Sequence, residues 1–345
     1  ILELRSELSQ LVGFSNYAQY SVESKMVDSP EAVIDFLEKL IELSLPQARS
    51  ELNELQSFAG HELMPWDLMY YSEKLKQKKF NFKSSDLKPY FPEESVFNGL
   101  FNTIQKLYGI ELNIVDEVTY HSDVRVIELT DSDGLIGRIY LDVYARENKR
   151  GGAWMSDYQG LYKDSLPVAF VVCNLNSPSQ GKPALFDFDE IVTIFHEFGH
   201  ALHHLLTKVP FPCAAGINGV PWDGVELPSQ YMENFCYERG VINQISGHWK
   251  TGEKLPDELF LKVIDSKNFQ SGLQMLRQCE FALWDIKTHI SNVDTYDILK
   301  EVRKKTSLIP IVIENRFLNA FSHIFSGGYA AGYFSYKWAE VLSAD

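Results

Sequence analysis

Phe188–Leu206 reads FDEIVTIFHEFGHALHHLL, and its centre, His196-Glu197-Phe198-Gly199-His200, is an H-E-x-x-H. On a helix, residues four apart lie one turn apart on the same face, so two imidazoles there can hold one metal ion. The glutamate between them can reach a water on that ion. The stretch carries helix signals. Asp187 and Glu190 form a capping-box-like start, and Ile191, Phe195, Phe198, Leu202 and Leu205 recur at helical spacing. At ordinary residue frequencies a chain of this length contains H-E-x-x-H by chance about once in a hundred. A chance match need not fall inside a capped amphipathic helix. A glycine within a helix costs about 1 kcal/mol relative to alanine, and close approach of another backbone would account for Gly199. A metal site therefore outranks a pair of core histidines.

The 345 residues are 45% hydrophobic, enough for a large core and two or three subdomains. A net charge of −15 argues against nucleic acid and anionic membrane partners. Cys173, Cys213, Cys236 and Cys279 are widely spaced with no C-x-x-C, which suggests reduced thiols, a cytoplasmic setting and no cysteine metal site. No apolar run reaches the roughly 18 residues of a membrane span. The chain opens inside a helical pattern without Met and stops at Ser343-Ala-Asp345, so a piece or processed product of something longer is expected.

Outward from the motif, residues 1–60 read as helical. Ser29-Pro30-Glu31 opens a helix to about Phe58, with Pro46 expected to kink or break it. Further helices open at Pro65-Trp66-Asp67 and at Phe91-Pro92-Glu93, the latter closed by Gly109. The period then changes. Leu112–Val115, Val124–Leu129, Leu135–Tyr144 and Val168–Cys173 read as strands, with a hairpin turn at Asp131–Gly134 and a glycine turn at Lys149–Gly152. A small sheet edge beside a metal site could receive an extended peptide as an added strand. After the motif come a Gly- and Pro-rich loop, TKVPFPCAAGINGVPWDG, and helices near 226–246, 256–268, 272–291 and 294–305. The fold expected is mainly α with a small β-sheet, divided into a helical region over 1–110 and a catalytic region over 111–345.

A catalytic zinc usually keeps three protein ligands and one open position. A histidine six residues after His200 would complete one known pattern, but that position is Leu206, and His203 and His204 match no third-ligand spacing. Glu226, at the helix start DGVELPSQ, is the choice for third ligand, with Glu233 and Glu238 as alternatives. Asp223 could accept a hydrogen bond from a ligand histidine or cap the helix.

HEFGHALHHLL followed by WDGVELPSQYMEN resembles the thimet oligopeptidase family of zinc metallopeptidases. DVYARENKRGGAWMSD and FSHIFSGGYAAGYFSYKWAEVLSAD are similar to its oligopeptidase A branch, and the likeness runs along essentially the whole chain. The resemblance implies a zincin-type catalytic domain with one Zn2+ on His196, His200 and Glu226, and Glu197 as general base. It implies that Tyr329 and Tyr336 donate to an oxyanion and that His323 lies near substrate. It further implies substrate contacts at Gly151, Gly152, Ala153, Gly327 and Gly328. Phe334 stands where relatives commonly have tyrosine. Short peptides, including released signal peptides, are the implied substrates of a monomer that cuts internal bonds. A dipeptidyl carboxypeptidase or an inactive zinc- and peptide-binding fragment are the alternatives. Family members carry helical parts before Ile1 and after Asp345, against which this chain is expected to pack, with residues 1–110 forming part of a channel wall.

Overall fold

The computed structural model describes residues 1–163, 165–179, 181–291, 294–312 and 314–344. In chain order the first helices are α1 (Leu2–Leu11), α2 (Tyr17–Val22), α3 (Pro30–Ala59), α4 (Leu68–Phe80), α5 (Ser84–Leu87) and α6 (Glu93–Tyr108). Strands β1 (Glu111–Val115), β2 (Arg125–Asp131), β3 (Gly134–Tyr144), β4 (Trp154–Gln159) and β5 (Val168–Leu175) follow, then the motif helix α7 (Phe188–Leu205). The rest is helical: α8 (Leu227–Asn234), α9 (Arg239–Ile245), α10 (Asp257–Ser266), α11 (Ser271–Ile290), α12 (Thr295–Thr306), α13 (Phe317–Ala320), α14 (Ser322–Ser326) and α15 (Ser335–Ala344). The chain is thus mainly α with one small sheet. Among the described residues no helix is long and apolar enough to cross a membrane.

Packing divides the chain into two interleaved units. One holds residues 1–81, 221–224 and 265–341; the other holds 82–220, 225–264 and 342–345. The first unit joins distant parts of the chain because α3 packs against α11, more than 200 residues away in sequence. Chain order alone carries no sign of that pairing.

In the first unit, α3 runs unbroken through Pro46. Proline removes one backbone donor, yet Val33, Leu37, Ile41, Ala48, Leu52 and Leu55 keep a buried stripe on both sides of it. The stripe lies against α11 so closely that a Cβ on Gly272 would come within 2.7 Å of Ala48 N. Tertiary packing overrides the local signal. In α1, Leu4 and Leu11 are 67% and 85% exposed, whereas Ser9 is buried. Arg5 turns inward, over the rings of Tyr17 and Phe325.

The second unit holds the five-stranded sheet, in the order β1-β2-β3-β5-β4. The β1, β2 and β3 pairings are antiparallel, β3 and β5 are parallel, and β4 lies antiparallel to β5 at the edge. Gly109 closes α6 in the left-handed conformation (φ 71°), as its position after the last periodic residue predicts. β4 is the one strand that the sequence pattern does not announce. As a largely exposed edge strand, WMSDYQ needs no alternation of apolar and polar residues. The expected helix over 226–246 is broken into α8, a 3-10 turn at Phe235–Tyr237 and α9.

Candidate metal centre

α7 begins where its cap predicts. Asp187 Oδ1 accepts the Glu190 N–H at 2.9 Å, and Glu190 Oε2 accepts the Asp187 N–H at 2.7 Å. The buried face of Ile191, Ile194, Phe195, Phe198, Ala201, Leu202 and Leu205 fixes the rotation of the helix. That rotation sets His196 and His200 on one face, with ring centroids 4.9 Å apart. α8 then supplies the third group. Glu226 is its N-cap residue, followed by Pro228 in the first turn. Glu226 Oε2 lies 3.2 Å from His196 Nε2 and 3.1 Å from His200 Nε2. One ligand atom from each of these three residues falls within 4.8 Å of the others.

The two helices meet at Gly199. A Cβ there would lie 2.5 Å from Ser229 Cα and 2.6 Å from Pro228 O. The helix-interior glycine is therefore a contact residue, and its absent side chain lets Glu226 approach both imidazoles. Ser229 Oγ steadies that glutamate by donating to Glu226 O at 2.8 Å and Oε2 at 3.1 Å.

Glu233, considered from sequence as a ligand, has another place. Its Oε1 lies 2.6 Å from His196 Nδ1, so it orients the ring and leaves Nε2 directed at Glu226. Glu238 precedes α9 and does not join the group. Asp223, buried in the first unit, accepts the Met26 N–H at 2.9 Å and the Val27 N–H at 3.1 Å. The N-cap residue of α8 is Glu226.

Electrostatics follow from burial and pairing. Burial by itself would lower the His196 pKa, but hydrogen bonding to Glu226 and Glu233 outweighs it and raises the value to about 10. Burial would raise Glu226, yet the hydrogen bonds from His196 and His200 hold it well below the usual carboxylate range. Glu197 is pushed up by burial, an effect that the nearby His196 and His200 partly offset. It is 5% exposed, and its Oε2 has no hydrogen-bond partner among the described residues. The backbone of Met155, in β4, lies beside the Glu197 carboxylate and favours its charged form. His204 is fully buried and bonded through Nε2 to Gln159 O at 2.9 Å, which ties α7 to the end of β4.

Gly151, Gly152 and Ala153 form the turn into β4. Asn174 Nδ2 donates to Arg150 O and Gly152 O. On the turn's other side, buried Asp142 binds Arg146 at 2.6 and 2.7 Å and Lys149 at 2.8 Å. Burial would raise Asp142, but these partners and Tyr120 bring it to about 2. In the first unit, Tyr329 and Tyr336 stack with centroids 5.0 Å apart and planes 18° apart. His323 lies 6.2 and 6.3 Å from their ring centres. Tyr333 joins this aromatic group, 5.5 Å from His323, and a Cβ on Gly328 would lie 3.5 Å from the Trp222 ring. Tyr333 lies in the same GGYAAGYFSY run, and β4 is the element that sequence reasoning missed.

A set of two imidazoles and one carboxylate, with a buried and partly unpaired carboxylate between the histidines, suits a four-coordinate zinc with an open position. The residues present therefore fit a divalent metal.

Residues 1–345 match the family model described as Peptidase family M3. Oligopeptidase A of Escherichia coli (strain K12) is 49% identical, over 100% of this chain and 53% of its own length. The organellar oligopeptidase A of Arabidopsis thaliana is 43% identical, over 100% of this chain and 46% of its own. Dipeptidyl carboxypeptidase of E. coli (strain K12) is 34% identical, over 100% and 53%. The chain thus spans about half the length of the curated relatives it matches. The solved structure of PZ peptidase A superposes with a TM-score of 0.58 at 14% identity, covering 99% of this chain and 53% of that one, a likeness of fold.

Proposed function

The chain belongs to peptidase family M3, and on that premise we propose that it carries the catalytic part of a zinc-dependent oligopeptidase cutting internal bonds of short peptides. The observation that carries this reading is Glu226 Oε2 within 3.2 Å of both histidine Nε2 atoms, with buried Glu197 between them on α7. His196, His200 and Glu226 would hold one zinc ion. When bound, the ion supplies Lewis acidity toward the scissile carbonyl and toward water.

The remaining work falls to the side chains. Glu197 accepts the proton of the attacking water and delivers it to the departing amine. Glu233 holds His196 by Nδ1, which keeps Nε2 free for the ion. Among the described residues β4 pairs with β5 alone, so its outer edge suits an extended peptide as an added strand, with Gly151–Ala153 at its entrance. Tyr329 and Tyr336 donate hydrogen bonds to the oxyanion of the tetrahedral intermediate, and His323 and Gly327–Gly328 line the substrate. Residues 1–110 form part of a channel wall and 111–345 the catalytic region. Released signal peptides are among the substrates of a cytoplasmic monomer with reduced cysteines.

The 34% identity to a dipeptidyl carboxypeptidase keeps a second specificity in view. A substrate with an amidated C-terminus separates the two, since an endopeptidase needs no free carboxylate.

The test is hydrolysis of a quenched fluorogenic peptide before and after chelation. Loss of turnover on chelation and recovery with one equivalent of zinc support the reading. Turnover that persists in protein shown to be free of metal would sink it.

A further inference from the structure

Asp285 is the centre of a second buried polar cluster, inside the unit that carries the aromatic segment. It lies on α11 and is 1% exposed. Its Oδ1 accepts the Ala331 N–H at 2.9 Å, and its Oδ2 accepts those of Gly332 and Tyr333, each at 2.9 Å. Three successive amides thus converge on one carboxylate. Ala331 sits at φ 47°, a backbone conformation that a non-glycine residue holds only where its surroundings fix it.

The carboxylate is itself held from behind. His289, one turn along α11, has Nδ1 at 2.8 Å from Asp285 O and 3.1 Å from Oδ1. Its Nε2 lies 2.9 Å from Arg5 Nη1. Arginine can only donate, so Nε2 accepts and Nδ1 carries the hydrogen directed at Asp285. Arg5 also donates to Ile324 O at 2.6 Å. Ser21 Oγ also donates to Ala330 O at 2.9 Å, and Lys25 Nζ donates to Ser21 Oγ at 2.7 Å. The turn Ala330–Tyr333 is therefore held through three amides and one carbonyl.

We propose that Asp285, held by His289 and Arg5, is a positioning residue that fixes the orientation of Tyr329 and Tyr336, the residues flanking this turn. A hydrogen-bond donor used only in the transition state is most effective when its orientation is set before the reaction begins. This rests on the role given to the two tyrosines under Proposed function.

The experiment measures kcat and KM separately for the zinc-loaded enzyme, Asp285→Asn, Tyr329→Phe/Tyr336→Phe, and the combined variant. Asparagine keeps the size of aspartate but turns an NH2 group toward one of the three amides. The expected result for Asp285→Asn is a fall of about tenfold in kcat with KM changed less than about twofold. In the tyrosine-free background the same substitution should cost nothing further, because the donors it positions are gone. An undiminished loss in that background, or a change confined to KM, would overturn the proposal. If Asp285→Asn does not fold, as zinc content and circular dichroism would reveal, His289→Asn replaces it. That variant keeps a donor toward Asp285 and loses the acceptor for Arg5, so a loss of about threefold in kcat is expected, and normal kcat would contradict the proposal. Normal turnover by the tyrosine variants beside a slow Asp285→Asn would instead overturn the reading of the tyrosines. Slow tyrosine variants with an additive Asp285→Asn would overturn the positioning role alone.

Discussion

Gly199 and Ser229 approach so closely that a Cβ on the glycine would lie 2.5 Å from the serine Cα. The contact joins the helix that bears both histidines to the one that begins at Glu226. Gly199→Ala must push α7 and α8 apart, since backbone and not a flexible side chain stands in the way. Such overpacking typically costs about 1–3 kcal/mol. The expected outcome is a lower thermal midpoint together with a zinc affinity at least about tenfold weaker in a chelator competition. Lower stability with unaltered zinc affinity would mean that the two helices do not set the ligand spacing.

Glu233→Gln removes the charge beside His196 Nδ1 while keeping the side chain's shape. The 2.6 Å contact is the observation behind the prediction. Removing such a partner commonly weakens metal binding by about 10–100-fold. Zinc titration of the variant should fall in that range, and binding as tight as in the parent would remove Glu233 from the account.

The raised His196 pKa gives a prediction about protons. Without metal, the charged imidazole is favoured by its two carboxylate partners, so the stability it contributes is fully present below its unfolded value of about 6.5. That contribution is lost as pH rises through the folded value of about 10. Glu226 works in the opposite sense. Its contribution is present above the ordinary carboxylate value of about 4.3 and is lost as pH falls through its lowered folded value. Zinc needs the neutral imidazole, so binding near neutral pH should release about one proton from His196. Calorimetry in buffers of different ionisation enthalpy measures this directly. Zero proton release would show that His196 is already neutral in the metal-free protein.

Much of the site was legible because its geometry is local. The His196–His200 spacing, the Asp187 cap and the apolar stripe all lie within one helix, whose period fixes where side chains point. The place of Glu226 followed from a helix start 26 residues later, but its distance to the histidines depended on Gly199, whose role became clear only once Ser229 lay against it. Two features left no local trace. β4 is an exposed edge strand without alternation, so the Met155 backbone contact to Glu197 could not be foreseen. Glu226, Glu233 and Glu238 lie on one stretch, and only the fold decides which of them meets His196 Nδ1 and which meets Nε2. The same holds for α1, where Arg5 supplies the inward contact. Tertiary partners, not local propensity, made those choices.

The central claim is that Glu197 acts as the base beside a zinc held by His196, His200 and Glu226. Glu197→Gln preserves the shape of the side chain and removes its basicity. The measurement is zinc content and peptide turnover on the same zinc-loaded sample of that variant. The account predicts one zinc per chain and a turnover number lower by at least about a hundredfold. Full zinc content with turnover close to that of the parent would contradict it.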